Sequence, residues 1–198
     1  MTATTPHVTL ADTLWPRTQS STNWLRLTVL AFIGTLLMAI SAKINVSFYP
    51  VPMTMQTFVV LSIGMAYGWR LGGATLLLYL AEGAMGLPVF AGTPEKGIGL
   101  AYMMGPTGGY LIGFVLAATI VGYLGERGWD RNVFSTIAAM TLGTGIIFGF
   151  GVLYLGTLIG WDKPVLEYGF TPFIAGSVFK ILLAAAVLPL AWKLLKRS

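Results

Sequence analysis

Residues 171–192, "TPFIAGSVFKILLAAAVLPLAW", form an apolar run with one charge, Lys180, near its middle. About 20 such residues cross a bilayer as a helix, so this stretch decides the fold class: a membrane helix that carries a lysine at depth. No Asp or Glu lies three or four residues away on either side, and the charge is therefore not neutralised along its own helix. An ammonium at such depth costs about 2.5–3.5 kcal/mol on insertion scales. Lys180 requires a partner, either another part of the chain or a ligand.

The rest of the sequence agrees with a membrane setting. The 198 residues are 56% hydrophobic and 10% charged, with a mean hydropathy of +0.78, whereas soluble domains carry roughly 25% charged residues. There is no cysteine, and His7 is the sole histidine. Disulfides, thiolate chemistry, imidazole metal clusters and histidine-based triads are thereby excluded, and an enzyme is a distant reading. Residues 1–23 are polar and rich in Ser and Thr, and read as a flexible tail. The apolar run that follows is longer than the 7–15 residues of a signal peptide, so residues 24–198 read as a single membrane domain.

Apolar runs predict an all-α bundle of six transmembrane helices near 24–43, 53–68, 71–86, 106–124, 133–159 and 171–193. The second and third are short, and the fifth is long enough to tilt or to break at Gly143, Gly145, Gly149 or Gly151. Arg17, Arg26, Arg70, Arg127, Arg131, Lys193, Lys196 and Arg197 fall on one side of this topology, against Lys43, Lys96 and Lys163 on the other. By the positive-inside rule both termini are cytoplasmic, and the net charge of +5 fits orientation in a lipid bilayer better than nucleic acid. Trp24, Trp69, Trp161 and Trp192 fall at helix ends, as interface anchors do. The outer connections are Pro-rich 44–52, "INVSFYPVP", and 87–105, "LPVFAGTPEKGIGLAYMMG". The second reads as a lid over an outward-facing cavity, since a solvated linker of that length has no need of its apolar side chains.

Three motifs remain, after a decoy. Gly92 and Gly97 have phosphate-loop spacing, but Ile98 stands where that loop needs Lys, so the chain itself does not hydrolyse ATP. "VPMTMQTF", 51–58, puts Thr54 and Gln56 at the outer start of the second helix, as ligand groups for a neutral polar function or as a plain helix cap. "MGPTGGYLIGF", 104–114, opens the fourth helix, where Gly105, Gly108 and Gly109 admit close approach of a helix or of a ligand. Glu82 is the other intramembrane charge. A Glu82–Lys180 ion pair is within reach, because Lys180 lies about 13 Å deep at 1.5 Å per residue on a flexible stem. Ala31, Thr35 and Ala39 repeat at spacing four on the first helix and admit a close helix neighbour, intramolecular or from another subunit.

"VPMTMQTF", "GLPVFAG" (86–92) and "GPTGGYLIGF" (105–114), in this order and spacing, resemble the BioY family, the biotin-specific substrate-binding (S) components of energy-coupling factor (ECF) vitamin transporters. The resemblance covers about residues 24–193. It implies a six-helix membrane protein of the bacterial cytoplasmic membrane that binds biotin near the outer surface and works with a membrane coupling subunit (T component) and two ABC-type ATPases. It implies no cofactor of its own, and leaves open a transporter that acts alone. It also assigns the Ala31, Thr35, Ala39 stripe to subunit contact, with Thr35 a departure from alanine. The family's last-helix Asp-x-x-Lys pattern is matched at Lys180, but Ser177 stands at the aspartate position. Either biotin's carboxylate is then the sole counter-ion of Lys180, or Glu82 supplies the missing charge. On this reading Lys180, Gln56, Thr54, Ser177 and Glu82 meet the polar ends of biotin, and Tyr79, Phe90, Tyr102, Gly108 and Tyr110 its apolar middle. An S component for another vitamin, or a structural subunit without ligand, is the alternative.

Overall fold

The computed structural model describes residues 8–16, 22–47 and 49–195. His7, Arg17, Phe48, Lys196 and Arg197, all used in the reading above, lie outside them. In chain order the helices are α1 (Leu10–Leu14), α2 (Thr22–Lys43), α3 (Gln56–Ala84), α4 (Gly99–Met103), α5 (Gly108–Gly125), α6 (Val133–Ile159), α7 (Val165–Gly169) and α8 (Ile174–Leu195), with a 3-10 turn at Thr171–Phe173. One two-residue ladder pairs β1 (Asn45–Val46) antiparallel with β2 (Met53–Thr54). It qualifies the all-helical expectation only at the 44–52 connection, where it ties the end of α2 to the start of α3.

The chain reverses inside α3. Gly68 sits at φ 79°, ψ 175°, a region essentially confined to glycine, and the arms on either side fold back on each other. Gly72 meets the backbone of Gly64, and Gln56 bonds Tyr79, pairs that a straight helix would hold far apart. No loop separates the two short helices predicted at 53–68 and 71–86; one residue makes the turn. By contrast α6 runs unbroken from Val133 to Ile159. Its Gly143 and Gly151 instead admit Leu61 and Val121, and the Tyr110 ring.

Four helical stretches, Asn23–Lys43, Gly108–Gly125, Val133–Ile159 and Val165–Leu195, are long and apolar enough to cross a membrane. Lipid supplies no hydrophobic drive for helices to associate, so close backbone packing has to hold them. Glycines provide it: Gly64 lies on the Ala118 backbone, Gly122 on Gly68 and Trp69, Gly125 on Met65, and Gly113 on Ile147. These contacts press α3 against α5, and α5 against α6.

Three expectations are revised. Within the stretch read as a flexible tail, α1 packs Leu10 and Ala11 inward. It is held by Arg26, 2% exposed, which donates to Trp15 O (2.6 Å), Ala11 O (2.9 Å) and Asp12 Oδ1 (2.9 Å). Trp192 is not an interface anchor. It is buried and donates its indole N–H to Asp130 at 2.6 Å, with Arg131 over its ring, whereas Trp24, Trp69 and Trp161 are exposed. Thr35 faces the chain's own interior and is buried. Its hydroxyl donates to Glu82 on α3 at 3.0 Å, so Thr35 packs within the chain, with Ala31 and Ala39 half-buried beside it.

Candidate functional site

At one end of the bundle the 51–57 stretch, the 87–107 segment, α5, α6 and α8 line a partly open cavity. The long connection folds down onto it. Lys43 at the end of α2 donates to Phe90 O (3.2 Å), Thr93 O (3.0 Å) and Thr93 Oγ1 (3.2 Å), pinning the segment in place. Phe90 and Ala91 are buried, as is Tyr102 on α4, and all three line the cavity. Gly83 leaves space for the Phe90 ring, which would overlap any side chain there. Phe90 stacks on Tyr102 with centroids 4.9 Å apart and meets Tyr79 edge-on.

The opposite wall is aromatic as well. Phe148 on α6 stands among Tyr110, Phe170 and Phe173 at centroid distances of 5.3–6.1 Å. Tyr110 donates to Gly169 O at 2.7 Å, which ties the 160–173 connection to α5. Apolar walls of this kind hold a greasy ligand, while a few fixed polar groups orient it.

Those polar groups gather on one side. Thr54, Gln56, Thr57, Thr107 and Lys180 line the cavity. Gln56 Nε2 donates to Tyr79 Oη at 2.7 Å, and Tyr79 donates onward to Val89 O at 2.9 Å. Tyr79 therefore lies one layer behind the lining and orients Gln56 rather than walling the cavity. Thr54 Oγ1 accepts from Gln56 N–H (3.2 Å) and donates to its Oε1 (3.3 Å).

Lys180, 8% exposed, donates to Thr54 O at 2.6 Å and to Thr57 Oγ1 at 3.0 Å. Both acceptors are neutral, and among the described residues no carboxylate pairs with it. Glu82 is turned toward α2 and accepts from Thr35; it is not the partner of Lys180 and does not line the cavity. Ser177, also buried, faces a second, smaller cavity next to Lys180. Gly108 is a packing residue, since a side chain there would run into Met103 O and the Tyr154 ring.

Of the ten predicted binding residues the cavity thus collects Lys180, Gln56, Thr54, Phe90, Tyr102 and Tyr110. The sequence reading missed Thr57, Thr107, Phe114, Phe148 and Phe173. Thr57 had a signal, being the residue after Gln56 in "VPMTMQTF". The phenylalanines had none, because membrane helices carry apolar residues on every face.

The Thr35–Glu82 bond makes its own prediction. Thr35→Val leaves a buried carboxyl oxygen without its donor, which costs about 1–3 kcal/mol and lowers the melting temperature in detergent. Because Glu82 and Lys180 share no partner, Glu82→Gln and Lys180→Met are expected to be additive in a double-mutant cycle of stability. A coupling well beyond about 0.5 kcal/mol would reinstate the pair.

Comparison with known proteins adds the lineage. A sequence model of the BioY family matches residues 13–197. The biotin transporter BioY of Thermotoga maritima is 36% identical over 163 residues, covering 82% of this chain and 94% of that protein. The biotin transporter BioY of Rhizobium etli is 36% identical over 172 residues, covering 83% of this chain and 90% of that protein. Among solved structures, the S-component for biotin from an ECF-type ABC transporter superposes with a TM-score of 0.74 over 89% of this chain and 95% of that one, at 22% identity. The two share a fold. With its motifs, its glycine-packed helices and a family match over nearly its whole length, this chain belongs to the BioY family.

Proposed function

We propose that the chain takes up biotin, binding it in the lidded cavity as the S component of an ECF-type transporter. The observation that carries this reading is a buried ammonium whose partners among the described residues are neutral, set at the side of an aromatic cavity. Biotin has the matching chemistry: a ureido ring that donates and accepts, a greasy thioether ring and valeryl chain, and a terminal carboxylate. Gln56, Thr54 and Thr57 suit its neutral polar atoms, the stacked rings its middle, and Lys180 its anion. Relatives that align with 82–83% of the chain are named as biotin transporters.

On this reading the bundle crosses the bacterial cytoplasmic membrane six times with both termini inside. The arms of α3, about 18 and 24 Å long at 1.5 Å per residue, are short for a hydrocarbon core of about 30 Å. Buried beside α2 and α5, they have little lipid to span. The basic side chains support the orientation: Arg70 rests on Trp69, Arg127 on Tyr123 and Arg131 on Trp192, a cationic belt on the predicted inner face. The cavity then opens outward, next to Lys43. Energy comes from partners, a membrane coupling subunit and two ABC-type ATPases, and the chain needs no cofactor of its own.

Native mass spectrometry of the freshly purified chain tests the reading. Bound biotin is expected, and it should exchange with added isotope-labelled biotin but not with thiamine or riboflavin. A chain that carries no small molecule and takes up none, or one that prefers another vitamin, overturns it.

A further inference from the structure

Lys180 borders two cavities. The second, smaller one is lined by Thr57, Thr144, Ser177 and Lys180 on its polar side and by apolar side chains from α3, α6 and α8 on the other. Ser177 is 8% exposed, and its hydroxyl oxygen has no hydrogen-bond partner. A lysine ammonium carries three N–H donors, and two of those on Lys180 are taken by Thr54 and Thr57. One remains.

We propose that this second cavity is a site for a small inorganic anion, chloride in ordinary media, which neutralises Lys180 while the main cavity is empty. Every polar lining group can donate: the ammonium, the Ser177 and Thr144 hydroxyls, and the Thr57 hydroxyl, whose oxygen already accepts from Lys180. None of the lining residues is acidic. A water molecule satisfies a hydroxyl but leaves the charge standing, and an uncompensated buried charge is far more costly than an unpaired polar group. An anion held by Lys180 and Ser177 satisfies both at once. When an acidic ligand reaches the main cavity it competes for the same ammonium, so the anion works as an exchangeable counter-ion.

The inference rests on the position of Lys180 argued above, and its test is made without biotin. Thermal unfolding of the unloaded protein is followed in sodium chloride and in sodium gluconate at equal ionic strength. Chloride at about ten times its dissociation constant is expected to raise Tm by about 3–6 °C, with saturation, whereas bulky gluconate is not. Ser177→Asp places a carboxylate three residues from Lys180, on the same helix face; it should remove the chloride response. A bromide soak of wild-type crystals provides the variant-independent check, an anomalous peak between Lys180 and Ser177. Equal response to the two salts, a chloride response that survives in Ser177→Asp, or a soaked crystal without that peak overturns the proposal. If the halide binds but biotin does not, the transport reading fails and the anion site stands. If biotin binds and halides do nothing, the reverse holds.

Discussion

Lys180→Met weakens biotin binding about ten- to hundred-fold, measured by isothermal titration in detergent. The figure is that of a hydrogen bond to a charged group, about 1.5–3 kcal/mol, converted at 1.4 kcal/mol per decade. The expectation rests on what surrounds the ammonium. Its bonds to Thr54 O and Thr57 Oγ1 hold it in place without cancelling its charge, and Glu82, the intramembrane carboxylate of the sequence reading, is engaged elsewhere. Methionine keeps the length and loses the charge. The substitution removes a buried cation but takes the donor from Thr54 O and Thr57 Oγ1, two opposing effects on stability, so the variant should remain folded, with its Tm read alongside binding. Loss of binding then reports the site and not the fold. Near-wild-type affinity would take Lys180 out of it.

Gly68→Val is expected to abolish the folded protein, read as loss of the monodisperse peak in fluorescence-detected size exclusion. Three effects add at one position. The backbone there has φ 79°, ψ 175°, which costs a residue with a side chain about 1–3 kcal/mol, and β-branching makes it worse. A Cβ on residue 68 would also displace the end of the Glu126 side chain, breaking the bond it accepts from Trp69 N–H at 3.3 Å, a smaller effect because that side chain is flexible. The Gly122 position on α5 lies directly against Gly68 and Trp69, so the turn cannot shift away from the clash. Gly68→Ala should be intermediate in Tm. A valine variant as stable as wild type would mean that the reversal of α3 does not depend on this residue.

The Gly68 reversal also shows how sequence and structure divide the work. Hydropathy told of two short apolar runs near 53–68 and 71–86 and of a turn between them, since the run around "YGWRLGG" is interrupted by Trp69 and Arg70. It could not tell that a single glycine makes that turn. Similarly, "MGPTGGYLIGF" announced close approach at its glycines without saying to what; Tyr154 and Phe150 on α6 answer it. The Ala31, Thr35, Ala39 stripe was legible as a packing face, but its direction was not, and Thr35 turned out to face Glu82. For Trp192 the pattern misled: a tryptophan at a helix end has the same signature whether it meets lipid headgroups or, as here, a buried aspartate.

By itself the sequence determined the membrane class, the helical runs, and the presence of one lysine inside an apolar run that its own helix does not neutralise. These follow from composition and local periodicity, which act over a few turns of chain. Only the tertiary structure decided which carboxylate stays away from Lys180, that Tyr79 stands behind Gln56, and that Phe148 and Phe173 complete the aromatic wall. Those arrangements, like the Lys180–Thr54 bond between residues 126 positions apart, depend on how glycine-lined helices dock. In an apolar sequence nearly every helix face is hydrophobic, so the pattern along one helix does not say which neighbour it will meet.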